Sequence, residues 1–577
     1  MTKMIRIACL SLIALLAVFN SYGYADADLV EYEWGLYMGL HYNEVQDYYQ
    51  KAGEYFRSEE EAIPEFGIKY KGARDDKLLK VDAFYFDKKR MNIKAEGRNG
   101  NLWSANLFYR SIYHQTGQDL MQNLVAREST NREGTAPGGK MIFNEEFNPG
   151  AHYGFTRHEI GGGVDFNVPG SANIRLYAAH KSIIEKGEEQ VMATTHCSSC
   201  HIRSKARRMD EYIHSFKGGV EGDAGPVRLG YELGYRIFES RSETPLFFYD
   251  KAQHPVNGGN IEEFGSRVEF DNQYAEVKKL NDTEKISHTV KAEANTPLGR
   301  LLGSYTQSTA KNEGVGIEAT ANGGGVKLIS ALSSRLFFTG KASLSRIEND
   351  AYPIDFSPWR QGRPGGGQDF DYTRYSSLTR DIFNGYGELN YRPSRKLRLV
   401  GTFGYETEKR DDYLGYQNEY ETTTLFGQAK IRYRFSSKLS TRIKVRYETI
   451  DNPFTNLDAL LEHEMNGVES PLPGNSLVYY FQRNAYRYGD VTNLPTSSIQ
   501  TDFSLKFSPS RNSALVGGLK YTQDKNDDLD TFDFERTAMQ PSLTASFIPS
   551  PKWSFYSAVT YLDEQVNGPF AVALFDG

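Results

Sequence analysis

Polar and apolar residues alternate along most of the chain. In LFGQAKIRYRF, Leu425, Gly427, Ala429, Ile431, Tyr433 and Phe435 fall on one side, while Phe426, Gln428, Lys430, Arg432 and Arg434 fall on the other. The turn SSK follows, and TRIKVRYETI then sets Ile443, Val445 and Tyr447 against Arg442, Lys444, Arg446 and Glu448. A period of two predicts β-strands with two unlike faces. The segments run about ten residues or more, the length a tilted strand needs to cross a bilayer, and rows of Arg and Lys suit a water-filled lumen.

The pattern gives 21 candidate strands, the last near residues 553–565. Those of the first half lie near 31–42, 62–72, 77–86, 89–97, 102–113, 157–168, 172–182, 226–238 and 245–251. Short turns rich in Pro, Ser and Gly, such as Val168 to Ala172 and Ser436 to Lys438, alternate with long connections at 114–156, 183–224, 349–381, 409–420 and 452–496. The expected fold is therefore all-β, a large transmembrane antiparallel β-barrel of about 22–26 strands, because bacterial barrels close with an even number. The ending AVALFDG has no terminal aromatic residue and reads as a C-terminal truncation. Short turns belong to the periplasmic side and long connections to the outside.

Composition narrows the class. Lys3 and Arg6 precede an apolar run from Ile7 to Phe19, and the Gly-Tyr-Ala at 23–25 completes a secretory signal peptide over residues 1–25, leaving 26–577 as the barrel. No later apolar stretch approaches 18 residues, so spanning helices are not expected. The net charge of −7 and the lack of a broad basic patch argue against nucleic acid as a partner. Export with these strands predicts the outer membrane of a Gram-negative cell, with outer-membrane lipid around the barrel.

Only Cys197 and Cys200 of the three cysteines survive removal of the signal peptide, and they stand in ATTHCSSCHIRSK. The C-x-x-C-H spacing brings two sulfurs and one imidazole to a single porphyrin, so one covalent haem c is expected, with thioethers from Cys197 and Cys200 and His201 as proximal iron ligand. A disulfide, a redox dithiol and a share in a zinc site are the alternatives for the same residues. The connection 183–224 reads as a haem-binding loop insertion at the external end. Its segment RSKARRMDEYIHSF reads as a short helix carrying His214 as distal ligand, ahead of His180, His196, Met192 and Met209. Arg203, Lys205, Arg207 and Arg208 are a wet helix face or a partner for haem propionates.

The stretch VDAFYFDKKRMNIKAEGRNGNLWSANLFYRSIYH, then NVPGSANIRLYAAHKS, then SHTVKAEANTPLGRLLGSYTQSTAKNE resembles the strand and turn pattern of the MtrB/PioB family, the decahaem-associated outer-membrane barrels. The resemblance covers most of the mature chain and rests on the order of degenerate strand motifs. It implies a porin-like sheath around a periplasmic multihaem c-type cytochrome, carrying electrons across the outer membrane to or from an extracellular partner such as a second multihaem cytochrome. Two departures stand out. A Cys-x-x-Cys found near the first strand of some members is absent from EYEWGLYMGLHY, and the family barrel does not usually carry its own haem.

No Ser/His/Asp arrangement, metal-protease motif or phosphate loop appears, so an enzyme is not expected. The GGGV runs at Gly161 to Val164 and Gly323 to Val326 lack the following helix that nucleotide binding needs, and there they relieve crowding in curved strands. The alternative function is a passive or substrate-specific porin with a non-haem thiol or disulfide site.

Overall fold

Strand after strand pairs antiparallel with the next in sequence, which is what alternating segments joined by short turns can do most simply. A computed structural model describes residues 30–42, 62–121, 143–170, 173–194, 201–249, 273–350, 352–356, 370–374, 379–410, 420–453, 494–528, 533–550 and 552–568. The expected signal peptide and the AVALFDG ending lie outside the described residues. Among those residues 27 strands form, 23 of them in one sheet. Two further pairs stand apart, Leu246–Tyr249 with Gln273–Glu276 and Tyr352–Phe356 with Phe370–Arg374.

The chain divides into two units, residues 1–290 with 308–318 and 575–577, and residues 291–307 with 319–574. In the first, a meander runs from Val30–Tyr42 and Ala62–Arg74 through Lys77–Asp87, Arg90–Asn99, Trp103–Gln115 and Gly154–Asn167. It continues through Arg175–Thr194, His201–Ala224 and Val227–Ser240. The hairpin between the last two turns on Gly225 and Pro226, where Gly225 takes φ 62°, a left-handed conformation open to glycine at no steric cost. In the second unit the meander includes Leu336–Asn349, Arg380–Tyr391, Leu397–Arg410, Tyr420–Arg434, Leu439–Asp451, Ser497–Ser510 and Ser513–Asn526. Phe534–Ser550 follows, and both Trp553–Thr560 and Asp563–Asn567 pair with it end to end.

The two faces of this sheet explain its environment. Tyr32, Trp34, Leu36, Met38, Leu40 and Tyr42 stand exposed at every second position of the first strand, with Trp34 75% exposed. In the second unit Ile443, Tyr447, Phe503, Phe507, Leu543 and Phe547 do the same. Apolar side chains in such continuous rows are not tolerated by water over this area, and lipid is the solvent that accepts them. The opposite face carries the charges, as Lys69 with Asp82 and Lys71 with Glu33 illustrate. No helix among the described residues is long and apolar enough to span a membrane. A lipid-facing sheet satisfies its backbone groups only as a barrel, so the fold is that of a transmembrane antiparallel β-barrel of the outer membrane.

Two sequence expectations need correction. The connection 183–224 is no loop insertion: Arg175–Thr194 and His201–Ala224 are strands of 20 and 24 residues, paired from Arg175 with Glu221 to Thr194 with Ile202. The expected wall strand at 245–251 is instead the short Leu246–Tyr249, outside the main sheet. Both differences lie beyond residue 182, and up to that point seven strands follow one another in the wall, as the alternation predicts.

Candidate functional site

A strand needs about 9–11 residues to cross a bilayer, and the pair Arg175–Thr194 and His201–Ala224 is far longer. The last apolar cross-strand pair on its lipid face is Ile184 with Tyr212; the next pair on that face, Lys186 with Asp210, is an ion pair at 2.8 Å. Asp210 is held below the ordinary carboxylate range, because hydrogen bonds from Lys186 and Tyr212 outweigh the burial that acts to raise it. From Ile184 to Thr194 the hairpin runs on for ten residues, about 33 Å at roughly 3.3 Å per residue. It projects at the end opposite the short turns.

This projection is braced. Val191 and Ala193 pack with Phe247 and Ala275 of the small two-stranded sheet, and Val277 closes against them. Phe143–Glu146 pairs in parallel with the start of the second strand, Phe143 beside His201. Below, Arg207 is 1% exposed and its guanidinium bonds Glu189, Glu211 at 3.4 Å and the Glu243 carbonyl at 2.8 Å. Lys278 adds a second cation to Glu189 at 2.6 Å. A buried cation needs such partners, since an unpaired charge there is strongly destabilising. Ser204, fully buried, donates to Glu146 and accepts from Gln190 Nε2 at 2.9 Å. Tyr153 donates to the same Glu146 at 3.2 Å, and burial followed by the Glu146 charge pushes its phenol well above the usual value. Gly187 sits where the projection begins, and a Cβ there would lie 2.1 Å from the Gly154 carbonyl oxygen, so only glycine fits this crossing.

Cys197 and Cys200 lie outside the described residues, as does His196. His201 opens the second strand, and Thr194 ends the first, so the six-residue connection holding both cysteines is bracketed by a single hairpin end. This connection and His201 carry the motif from which one haem is expected. His214 does not fit as its distal ligand. It is thirteen positions down a continuous strand from His201, about 43 Å at roughly 3.3 Å per residue, whereas both axial ligands must reach the same iron. His214 Nδ1 instead meets Ser182 Oγ at 2.7 Å, and that hydroxyl meets His180 Nε2 at 2.9 Å. These groups belong to the lipid-facing girdle, with His158 beside Tyr109. Met209 is buried and Met192 is 52% exposed near the tip.

The expected helix 203–216 is this strand, and its basic run is divided. Arg207 is committed to carboxylates, Arg203 donates to the Phe248 carbonyl at 3.3 Å, and Lys205 lies 4.9 Å from the Phe247 ring centre. Among the described residues no group of three or more His, Cys, Asp or Glu side chains is placed to hold a metal ion.

The sequence reading did not anticipate the pairing of charges on the inner wall. Arg157 bridges Glu159 and Glu185, each at 2.8 Å, and Lys181 reaches Glu159 at 3.2 Å. Arg175 pairs with Asp165 and, at 3.3 Å, with Glu221. Alternation placed such residues on the polar face, but only the register brings opposite charges together.

The sequence matches no protein-family profile and no curated protein. Among solved structures it is similar to the FrpB iron transporter from Neisseria meningitidis in its apoprotein form, with 10% identity over 84% of this chain and 74% of that one, TM-score 0.41. It is also similar to the copper transporter OprC, with 8% identity over 94% and 80%, TM-score 0.43. The ferric enterobactin receptor PfeA from Pseudomonas aeruginosa shows the same identity, coverage and score.

Proposed function

We propose that this outer-membrane barrel is the sheath of a trans-membrane electron conduit, with one covalent haem c carried by Cys197, Cys200 and His201. A periplasmic multihaem c-type cytochrome in the lumen is the inner partner, and an extracellular multihaem cytochrome is the outer one. The observation that carries the reading is the setting of the C-x-x-C-H motif: the only cysteines outside the signal peptide fall between the ends of a strand pair that rises about 33 Å beyond the apolar girdle.

Haem, when bound, supplies a one-electron centre whose potential depends on its axial ligands and burial. The chain's own residues do the rest. The Arg207, Glu189 and Glu211 cluster and the Ser204, Glu146 and Gln190 network hold the hairpin rigid, which fixes the height of its end above the membrane. The apolar outer face insulates the lumen from lipid. A bilayer core of roughly 30 Å needs a series of centres, so a single site at the tip requires the lumenal partner.

The test is a pyridine haemochrome spectrum of the detergent-purified protein, expressed with cytochrome c maturation machinery, beside Cys197→Ala/Cys200→Ala. One c-type haem per chain, lost in the variant, is expected. A wild type without covalent haem overturns the reading and leaves a porin with a thiol or disulfide at the hairpin end.

A further inference from the structure

The inner face of the second unit sets cations opposite cations, several of them without a carboxylate partner among the described residues. Tyr420–Arg434 and Leu439–Asp451 pair so that Arg432 faces Arg442 and Lys430 faces Lys444. On the other side of Arg432, Leu397–Arg410 sets Arg398 directly opposite. Three guanidiniums thus stand side by side across three strands. Lys506 of Ser497–Ser510 lies opposite Ser440, one strand further on. Like charges directly opposed weaken strand pairing, so this arrangement works against the stability of the sheet.

Of these cations Lys444 has a counter-ion, Asp502 at 3.4 Å. Arg398 donates to the amide oxygen of Asn390 at 3.1 Å. Lys430, Arg432, Arg442 and Lys506 form no ion pair among the described residues. Higher on these strands and the neighbouring Arg380–Tyr391 the pattern ends: Arg446 bonds Glu448 at 2.6 Å, and Arg380 and Arg410 share Glu408 at 2.6 and 2.7 Å. The unanswered stretch is therefore local. It encloses a recess of about 300 Å³ lined by Arg398, Lys430, Arg432, Arg442 and Lys506, with the hydroxyls of Ser440 and Ser504 among them. Arg432, Arg442 and Lys506 are exposed.

We propose that this recess binds small oxyanions, solutes bearing phosphate or carboxylate groups, on the inner wall of the barrel. Guanidinium forks match both groups bidentately, and the serine hydroxyls supply further donors. Rings and stripes of Arg and Lys select anions in pores by the same attraction. The size of the recess is that of a small-molecule site. An acidic protein surface would extend over the upper wall as well, where the cations already have carboxylates. The site depends on neither haem nor a cytochrome.

Isothermal titration of inorganic phosphate into the detergent-purified protein tests it, at low salt and with folding checked by heat-modifiable gel migration. Saturable binding is expected, at least tenfold weaker in Arg432→Gln/Arg442→Gln and unchanged in Arg446→Gln. Arg432→Lys, which keeps the charge and loses the fork, falls between, and Lys506→Gln serves if the double variant does not fold. Absence of saturable binding to the wild type, or equal binding in the double variant or Lys506→Gln, overturns the proposal. So does capture of an acidic polypeptide that phosphate fails to displace.

Discussion

Arg157 in the first unit lies between Glu159 and Glu185, whereas Arg432 in the second lies between Arg398 and Arg442. Both sit on the polar face of a strand, both come from alternating sequence, and both are reached by water. The difference is what the neighbouring strands bring opposite them. In the first unit these cations complete a ladder of ion pairs, so their charge is spent within the wall. In the lower second unit the charge remains available to something that is not part of the sheet. A polar inner face is thus two kinds of surface, one that holds strands in register and one that recruits ions.

The comparison can be broken most severely at its most buried member. Arg207→Met removes the cation buried between Glu189 and Glu211, leaving Glu189 with Lys278 alone and Glu211 without that partner, at a cost of about 3–5 kcal/mol. The expected outcome is rapid proteolysis of the hairpin above Ile184 with heat-modifiable migration of the barrel retained; a hairpin as resistant as wild type would show that pairing there is dispensable.

Smaller effects separate the two walls by sign. Arg442→Gln relieves an opposed pair of guanidiniums, and urea unfolding in lipid vesicles should show stabilisation of about 0.2–1 kcal/mol. Arg175→Gln breaks contacts with Asp165 and Glu221 on a partly exposed wall and should destabilise by about 0.2–1 kcal/mol. The same sign for both would erase the distinction. An effect of similar size belongs to the girdle: His214→Ala loses the Ser182 hydrogen bond, about 1 kcal/mol, and leaves the haemochrome yield unchanged. A fall in haem content with His214→Ala would restore it as a ligand.

The fold was legible wherever lipid imposed a face. Leu439–Asp451 and Tyr420–Arg434 alternate because one side must be apolar and the other wet. Above the membrane that demand stops. In HIRSKARRMDEYIHSF both sides of the strand meet water or the bracing segments, charges appear on both, and the alternation that marks a strand fades. The reverse error arose in Leu246–Tyr249, whose apolar residues serve a small cluster with Val191 and Ala193 rather than a bilayer. Of the candidate site, the motif was legible as a local spacing, but His214 could not be judged without knowing that a straight strand separates it from His201. Register was invisible throughout. The sequence shows that Arg432 and Arg442 are polar-face residues, and only the pairing shows that they stand opposite each other.

The projecting hairpin also sets rules for how such a chain can change over evolutionary time. Between His201 and Ala224 a single inserted or deleted residue would exchange the lipid and lumen faces of everything beyond it. Paired additions, two residues on each strand above Lys186, keep every face and raise the end by about 6.6 Å. Relatives that present the same end to partners of different reach should therefore differ in hairpin length by even numbers, a quantal variation readable from sequence lengths alone.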